Sequence, residues 1–162
     1  MDLLVREARP AEYPAIADLT VDAYRTIDPE LGSYEARIRD VAGRASVATV
    51  LAASLDGRVI GTVTYVGDSS SPLSESEDPA DAGVRLLAVA PDAMGRGAGT
   101  ALVERCIELA RAHGRGRLVL LTRPAMHAAH AIYARLGFVR APELDERWEE
   151  ATLLGFAREL QS

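Results

Sequence analysis

The stretch VRLLAVAPDAMGRGAG at residues 84–99 constrains the fold of this chain more than any other part of its sequence. A run of branched apolar residues ends at Pro91, glycines follow at alternate positions (Gly95, Gly97 and Gly99), and the amphipathic segment TALVERCIELARAHG comes next. This order predicts a buried strand, a glycine loop and a helix. The first N–H groups of such a helix lack partners, glycine lets a ligand approach them, and the helix dipole favours an anion. The segment therefore predicts a binding site for a phosphate or pyrophosphate.

The spacing argues against two common phosphate-binding patterns. A dinucleotide fingerprint reads G-x-G-x-x-G and usually lies in an early strand–helix unit. Here the glycines read G-x-G-x-G, and they lie past the middle of the chain. The kinase-type P-loop ends in Gly-Lys-Ser/Thr, and this chain contains no lysine.

The segment resembles instead the signature of the GNAT superfamily of N-acetyltransferases, in which an apolar triplet and a proline precede R/Q-x-x-G-x-G/A at the start of a helix. The triplet here is Leu87-Ala88-Val89, and Gly97 and Gly99 match the paired small residues. The chain departs from the signature at Met94, where the family generally has Arg or Gln.

A second motif lies downstream at the spacing expected for that family. Residues 129–138 read AHAIYARLGF, which is similar to the family pattern A-x-x-x-Y-x-x-L-G-F, and they follow an apolar strand at residues 118–122. An asparagine often found at the start of this motif is replaced here by Met126. The order and spacing of the two motifs identify the chain as a member of the GNAT superfamily, with the resemblance covering its second half.

The resemblance implies a fold and a cosubstrate. We expect an α/β single-domain GNAT fold over residues 1–162, with a mixed central β-sheet of about six to seven strands and helices on both faces. Two middle parallel strands should diverge, and the pantetheine arm of acetyl-CoA (coenzyme A) should pair with exposed backbone there. The expected cofactor-binding residues are Leu87, Ala88 and Val89 for that arm and Gly95, Arg96, Gly97, Ala98, Gly99 and Thr100 for the pyrophosphate. Arg96 either contacts this anion or is a solvated loop residue.

The resemblance also implies a reaction by direct attack. A neutral amine attacks the thioester carbonyl while both substrates lie in one cleft. The backbone N–H of Val89 is expected to stabilise the oxyanion. Tyr133 matches the family's tyrosine that donates a proton to the leaving thiolate; the alternative is that Tyr133 only packs under the sheet.

The general base stays open at this point. A carboxylate is often found near the start of the first-motif strand, but Gly83 occupies that position here. The remaining candidates are Asp81, Asp78 and Glu77 before that strand, and Asp28, Glu30 and Tyr24 near the break between the first helices. His130 lies one helical turn before Tyr133, where a packing role is the commoner one.

Composition limits the other classes of function. The chain has 162 residues, enough for one domain with a core. A net charge of −6 argues against nucleic acid as a partner, and no run approaches the roughly 20 apolar residues of a membrane span. The single cysteine, Cys106, excludes an internal disulfide and suits the cytoplasm; its apolar surroundings predict a buried structural thiol. No metal-ligand spacing is present in the sequence.

The remaining elements can be outlined from periodicity. LLVREAR predicts a first strand, and AEYPAIADLTVDAYR and YEARIRDVAGRA predict two helices. VATVLAASL and RVIGTVTYV flank Asp56-Gly57 and predict a hairpin. Phe138-Val139 and TLLGFAREL predict late strands.

Two functions follow as hypotheses. The first is an acetyl-CoA-dependent N-acetyltransferase acting on a primary amine of a small molecule, peptide or protein. The alternative is a non-catalytic acyl-CoA-binding or sensor module with the same fold, which Met94 and the missing base keep open. Because many members of the family pair through their last strands, TLLGFAREL also indicates a possible homodimer.

Overall fold

A computed structural model describes residues 2–148 and 151–160 of the chain. These residues form eight strands and five α-helices. The strands are β1 (Leu3–Glu7), β2 (Thr49–Leu55), β3 (Arg58–Val66), β4 (Asp81–Val89), β5 (Arg117–Thr122), β6 (Val139–Arg140), β7 (Glu146–Trp148) and β8 (Ala151–Glu159). The helices are α1 (Tyr13–Arg25), α2 (Tyr34–Arg39), α3 (Val41–Val47), α4 (Ala98–Ala112) and α5 (His127–Arg135).

The strands form one mixed sheet in the order β1-β2-β3-β4-β5-β8-β6, and β7 pairs with β8 beside this path. Among the strands of the described residues, only the β4–β5 pair is parallel, because α4 connects those two strands as a crossover. The predicted GNAT-type mixed sheet is confirmed. It contains eight strands because the short strand β7 adds to the predicted ones, among which Phe138-Val139 corresponds to β6.

The helices cover the sheet as two separate groups, α1 with α2 and α3, and α4 with α5; α1 and α4 both pack on β3 and β4. Helix α4 buries a stripe at helical spacing that includes Leu102, Cys106 and Ala110. The Cys106 side chain is 0% exposed, as expected for a structural thiol. The stripe explains why the segment after the glycine loop folds as a helix against β3 and β4.

The hairpin at Asp56-Gly57 and the helix predicted for residues 34–45 have different outcomes in the structure. The hairpin at Asp56-Gly57 is confirmed, since Leu55 pairs with Arg58 and both turn residues have positive φ. The single helix predicted for residues 34–45 is wrong. The chain leaves helical geometry at Asp40, whose carboxylate accepts a hydrogen bond from the Gly43 N–H and so begins a new helix, α3.

The last long strand, β8, lies between β5 on one side and β6 and β7 on the other. Its backbone is therefore already paired within the chain along most of its length. The homodimer expected through this strand stays a prediction.

Strands β4 and β5 diverge in the middle of the sheet. They pair only between residues 81–84 and 117–120. Beyond that, β5 stays with β8 as far as Thr122, and β4 stays with β3. A bulge at Leu86, whose φ is +52°, shifts the β3–β4 register and bends β4 away. The opening between these two strands positions the site described next.

Candidate functional site

The second half of β4 presents backbone groups to the opening. Ala88 lies opposite Thr62, and the Ala90 N–H donates to the Ile60 carbonyl at 2.8 Å. The backbone groups of Ala88 and Ala90 therefore point toward β3. Alternation along an antiparallel pair turns the N–H and C=O groups of Leu87 and Val89 the other way. No strand of the described residues pairs with β4 on that side beyond Val84. The opening can therefore accept an extended ligand as an added strand.

A groove runs from this opening toward the start of α4, and we call it the splay groove. Its volume is about 200 Å³. Its lining is mostly apolar and comes from α1, β4, the glycine loop and α5: Ala23, Tyr24, Leu87, Ala88, Val89, Met94, Met126 and Ile132. Met94 is 55% exposed at its edge. The groove suits an apolar, extended arm of a ligand.

The glycine loop leaves the first turn of α4 uncapped. Gly95 and Gly97 each have a φ of +83°, a conformation that favours glycine, and Gly97 is the N-cap residue without a capping side chain. The first helical hydrogen bond goes from the Ala101 N–H to the Gly97 carbonyl. The N–H groups of residues 98–100 therefore have no partner among the described residues, as an anion site at a helix N-terminus requires.

The third glycine has a packing role. Gly99 is buried in the first turn of α4, and a Cβ atom there would lie 2.7 Å from the Ile132 side chain. Its lack of a side chain lets α4 and α5 approach closely. Ala98 is also buried, so it can offer a ligand only its backbone N–H.

Two arginines lie beside the uncapped turn. Arg96 is exposed within the loop. Arg135, at the end of α5, donates to the Thr100 hydroxyl at 3.0 Å. The sequence motifs indicate Arg96 but not Arg135, because only the packing of α5 on α4 brings the second guanidinium to the loop. Both supply positive charge where the signature arginine or glutamine is replaced by Met94.

Tyr133 lies in the core near the diverging strands. It is 5% exposed, and its ring centroid lies 5.5 Å from that of Phe138 and 6.3 Å from that of Phe156. Burial raises the pKa of its phenol above the ordinary value, and the nearby Cys106 and Glu75 raise it further. Its hydroxyl makes no hydrogen bond within residues 2–148 and 151–160. Tyr133 thus packs in the core, and its phenol stays protonated.

A second pocket adjoins the splay groove, with Tyr24 and Met126 lining both. Its volume is about 240 Å³. The bulge residue Leu86 forms part of its wall. Unlike the groove, this pocket contains charged side chains, and its lining includes Tyr24, Tyr34, Arg37, Glu75, Arg85, Arg123 and Glu146.

Glu75 is the carboxylate that sequence reasoning missed. It lies in the β3–β4 loop, with 17% of its side chain exposed, and its Oε2 is 3.9 Å from Arg85 Nε. Burial raises its pKa from 4.5 to about 7; Arg85 opposes that shift and Glu146 adds to it. The context SPLSESEDP gives no pattern that separates Glu75 from the exposed Glu77 and Asp78.

The carboxylates expected as bases lie elsewhere or are already paired. Asp81 is 3% exposed, and it accepts hydrogen bonds from Arg117 at 2.9 and 3.0 Å and from Ser76. Asp78 accepts from the Ala80 N–H in an exposed turn. These contacts give both residues structural roles in the loop before β4.

Three other candidates near Tyr133 and the first helices either have partners or stay protonated. Asp28 is half-exposed and lies 3.4 Å from Arg123. His130 Nε2 is 3.1 Å from the Arg123 carbonyl oxygen, and its ring packs on Phe156. Burial raises the pKa of Tyr24 well above its ordinary value, so its phenol stays protonated.

Residues 2–148 and 151–160 contain neither a candidate metal site nor a membrane-spanning helix. No group of three or more His, Cys, Asp or Glu side chains there could hold a metal ion. In the same part of the chain, no helix has the length and apolar character needed to cross a membrane.

Comparison with known proteins gives a family match. The model of the Acetyltransferase (GNAT) family matches residues 13–138. A search of curated proteins gives no match.

Solved structures share the fold over nearly the whole chain. yncA from Salmonella typhimurium, solved with its cofactor acetyl-CoA, has a TM-score of 0.72 at 19% identity and covers 100% of this chain and 96% of its own. Ribosomal-protein-alanine N-acetyltransferase from Brucella melitensis has a TM-score of 0.71 at 23% identity, covering 97% and 99%. Ribosomal-protein-S18-alanine N-acetyltransferase from Escherichia coli has a TM-score of 0.73 at 19% identity, covering 99% and 96%.

Proposed function

This chain belongs to the Acetyltransferase (GNAT) family, and from that premise we propose that it transfers an acetyl group from acetyl-CoA to a primary amine. One observation carries the proposal. The splay groove borders the uncapped first turn of α4, where Gly99 lies against the lining residues Val89 and Ile132, and it shares Tyr24 and Met126 with the charged second pocket. A cleft of this kind can hold two substrates end to end at the diverging strands.

The residues on the groove side fit the acetyl donor. The unpaired backbone groups of Leu87 and Val89 are available to amides of the pantetheine arm. The free N–H groups of Ala98, Gly99 and Thr100 and the positively charged Arg96 and Arg135 suit its pyrophosphate. Apolar side chains between these two regions match the largely apolar arm.

The chemistry uses three groups of the chain. Glu75 accepts a proton from the ammonium of the acceptor, and the amine nitrogen then attacks the carbonyl carbon of the thioester. The Val89 N–H stabilises the oxygen that becomes negative. As the carbon–sulfur bond breaks, Tyr133 donates its proton to the departing sulfur and regains one from the new amide nitrogen. Glu75 releases its proton to water, so one proton is produced for each acetyl group moved.

The alternative is a non-catalytic module that binds acyl-CoA. The exposed Met94 in place of the signature residue favours it. Glu75 favours the enzyme, because a carboxylate with a pKa of about 7 beside the cleft is suited to accept a proton at neutral pH.

Thiol release with a broad panel of primary amines tests the proposal, with coenzyme A binding measured in parallel. We expect amine-dependent release, and Tyr133→Phe should lower kcat at least about tenfold while acetyl-CoA affinity changes little. Tyr13→Phe, the same change at a half-buried residue of α1, serves as the control. Binding without release from any amine would establish the non-catalytic alternative. Full turnover in Tyr133→Phe would remove this residue from the mechanism.

A further inference from the structure

The second pocket has an unusual charge pattern for a site that receives an amine. Three arginines from separate parts of the chain line it: Arg37 from α2, Arg85 from β4 and Arg123 from the segment after β5. Among residues 2–148 and 151–160, the acidic side chains in the lining are Glu75 and Glu146. A plain amine or a polyamine is cationic near neutral pH, so it would meet these guanidinium groups at short range and be repelled.

Arg85 and Arg123 are only partly neutralised by their neighbours. The Arg85–Glu75 distance is 3.9 Å and the Arg123–Asp28 distance is 3.4 Å, both longer than the 2.9 Å of the buried Arg117–Asp81 pair.

Each of these two guanidinium groups also contacts a neighbour in the described part of the chain. Arg85 Nη1 donates to the Leu73 carbonyl at 3.1 Å, and the Arg123 guanidinium lies 5.1 Å from the centre of the Tyr34 ring. A guanidinium carries five N–H donors. With respect to the described residues, both groups therefore keep N–H donors available for an anion.

A fourth arginine adds positive charge behind this wall. Arg44 of α3 is 7% exposed, and its Nε has no hydrogen-bond partner among the described residues. Burial lowers its pKa, and Arg85 is one of the neighbouring charges that lowers it further. Asp40 and the rings of Tyr24 and Tyr34 oppose that effect. Arg44 therefore places a buried positive charge in the neighbourhood of Arg85.

We propose that the second pocket binds a small acceptor that carries an acidic group beside its amine, as an amino acid does. Arg85 and Arg123 bind the carboxylate or phosphonate of the acceptor, and Glu75 binds its ammonium group. Charge-assisted hydrogen bonds to a planar carboxylate are strong and fix its orientation. This inference rests on the proposed acetyltransferase function and names the substrate class of that site.

The experiment uses matched acceptors with the full-length protein and acetyl-CoA. L-amino acids with apolar, polar and charged side chains are each compared with their own amides and with their decarboxylated amines, by thiol release. We expect kcat/KM for the acids to exceed that for the matched amides at least tenfold. The amine of an amino-acid amide is less basic and so more available as a nucleophile, which makes the expected preference run against intrinsic reactivity.

Arg85→Gln and Arg123→Gln test the assignment of residues. Each should lower kcat/KM for the acids at least ten times more than for the matched amides, so that the preference disappears. Arg85→Gln should also raise the pKa of Glu75 further with both kinds of acceptor, because Arg85 opposes that shift, so the ratio of acid to amide is the readout. Arg111→Gln is the control, since it removes one positive charge at an exposed position of α4 and should keep the preference. Two separate variants are used so that poor folding of one leaves the other informative.

The possible failures are distinguishable. If amines that lack an acidic group, or peptide amines, are acetylated as efficiently as the amino acids, the inference is wrong while the proposed function stands. If no amine of either class releases thiol although coenzyme A binds, the acetyltransferase proposal itself fails and the inference fails with it.

Discussion

Glu75 shows how the surroundings of one side chain change its acidity. An exposed glutamate is ionised at neutral pH and is a poor proton acceptor for an amine. Burial in the second pocket raises the pKa of Glu75 from 4.5 to about 7, with Glu146 adding to the shift and Arg85 opposing it. A base with a pKa near the working pH combines a useful ionised fraction with useful basicity. The loop that carries Glu75 therefore contributes to catalysis in our proposal, although it lies outside both sequence motifs.

The pH dependence of the reaction tests this role. Because the free enzyme needs Glu75 ionised, kcat/KM should rise with pH around 7 and level off above it. Glu75→Gln should abolish this rise with pH and lower kcat/KM at pH 8 by about 100-fold or more. Glu77→Gln, two residues away and exposed, should retain the wild-type profile. An unchanged profile in Glu75→Gln would assign the proton transfer to another group or to water.

At the scale of elements, the site depends on two interruptions of regular structure. The bulge at Leu86 turns β4 away from β5, and the left-handed glycines before α4 leave its first turn uncapped. In a regular sheet β5 would occupy the backbone groups of Leu87 and Val89, and in a capped helix a side chain would occupy the N–H groups. Each interruption leaves hydrogen-bonding groups available for a ligand.

Substitutions at Gly97 separate backbone strain from contact with the ligand. At a φ of +83°, any other L-residue is strained by about 1–2 kcal/mol. Gly97→Ala should therefore lower stability by about that amount and change coenzyme A affinity only a few-fold. Gly97→Glu should carry the same strain and in addition weaken binding at least tenfold, because its carboxylate repels the pyrophosphate. Calorimetric titration of both variants measures this difference, and equal affinities would show that the loop does not hold the anion.

At the scale of the whole molecule, the raised pKa of Glu75 links stability to pH. A carboxyl group whose pKa is higher in the folded state binds more protons there than in the unfolded chain. The free energy of unfolding therefore falls as pH rises from about 4.5 to about 7. A buried carboxylate at a functional site thus lowers stability at the pH at which it works.

Urea unfolding at several pH values checks this linkage. The wild-type protein should lose on the order of 2 kcal/mol of unfolding free energy between pH 4.5 and 7 through Glu75. Glu75→Gln should lack that contribution, whereas Glu77→Gln should retain it. The same measurement establishes whether any loss of activity in Glu75→Gln arises while the fold stays intact. Identical pH dependence of stability in all three proteins would contradict the buried, titrating Glu75.

Much of the fold and half of the site could be predicted from local sequence. The Asp56-Gly57 turn, the β4–loop–α4 unit and the motif around Tyr133 each depend on residues that are close in the chain. Their conformations follow from φ preferences and apolar periodicity. The break at Asp40 was missed because a capping aspartate inside a helical pattern looks like one more polar position of a single helix.

The sequence by itself determined the family, the sheet with its diverging strands and the side of the cleft that suits acetyl-CoA, because contiguous motifs encode these features. Only the tertiary structure decided the other side. Glu75, Arg85 and Arg123 come from three segments without a shared motif, and they meet because β4 bends at Leu86 while the β3–β4 loop packs beside it. Burial and mutual charge then set the pKa of Glu75 and the anion capacity of the arginines, and these quantities exist only in the assembled pocket.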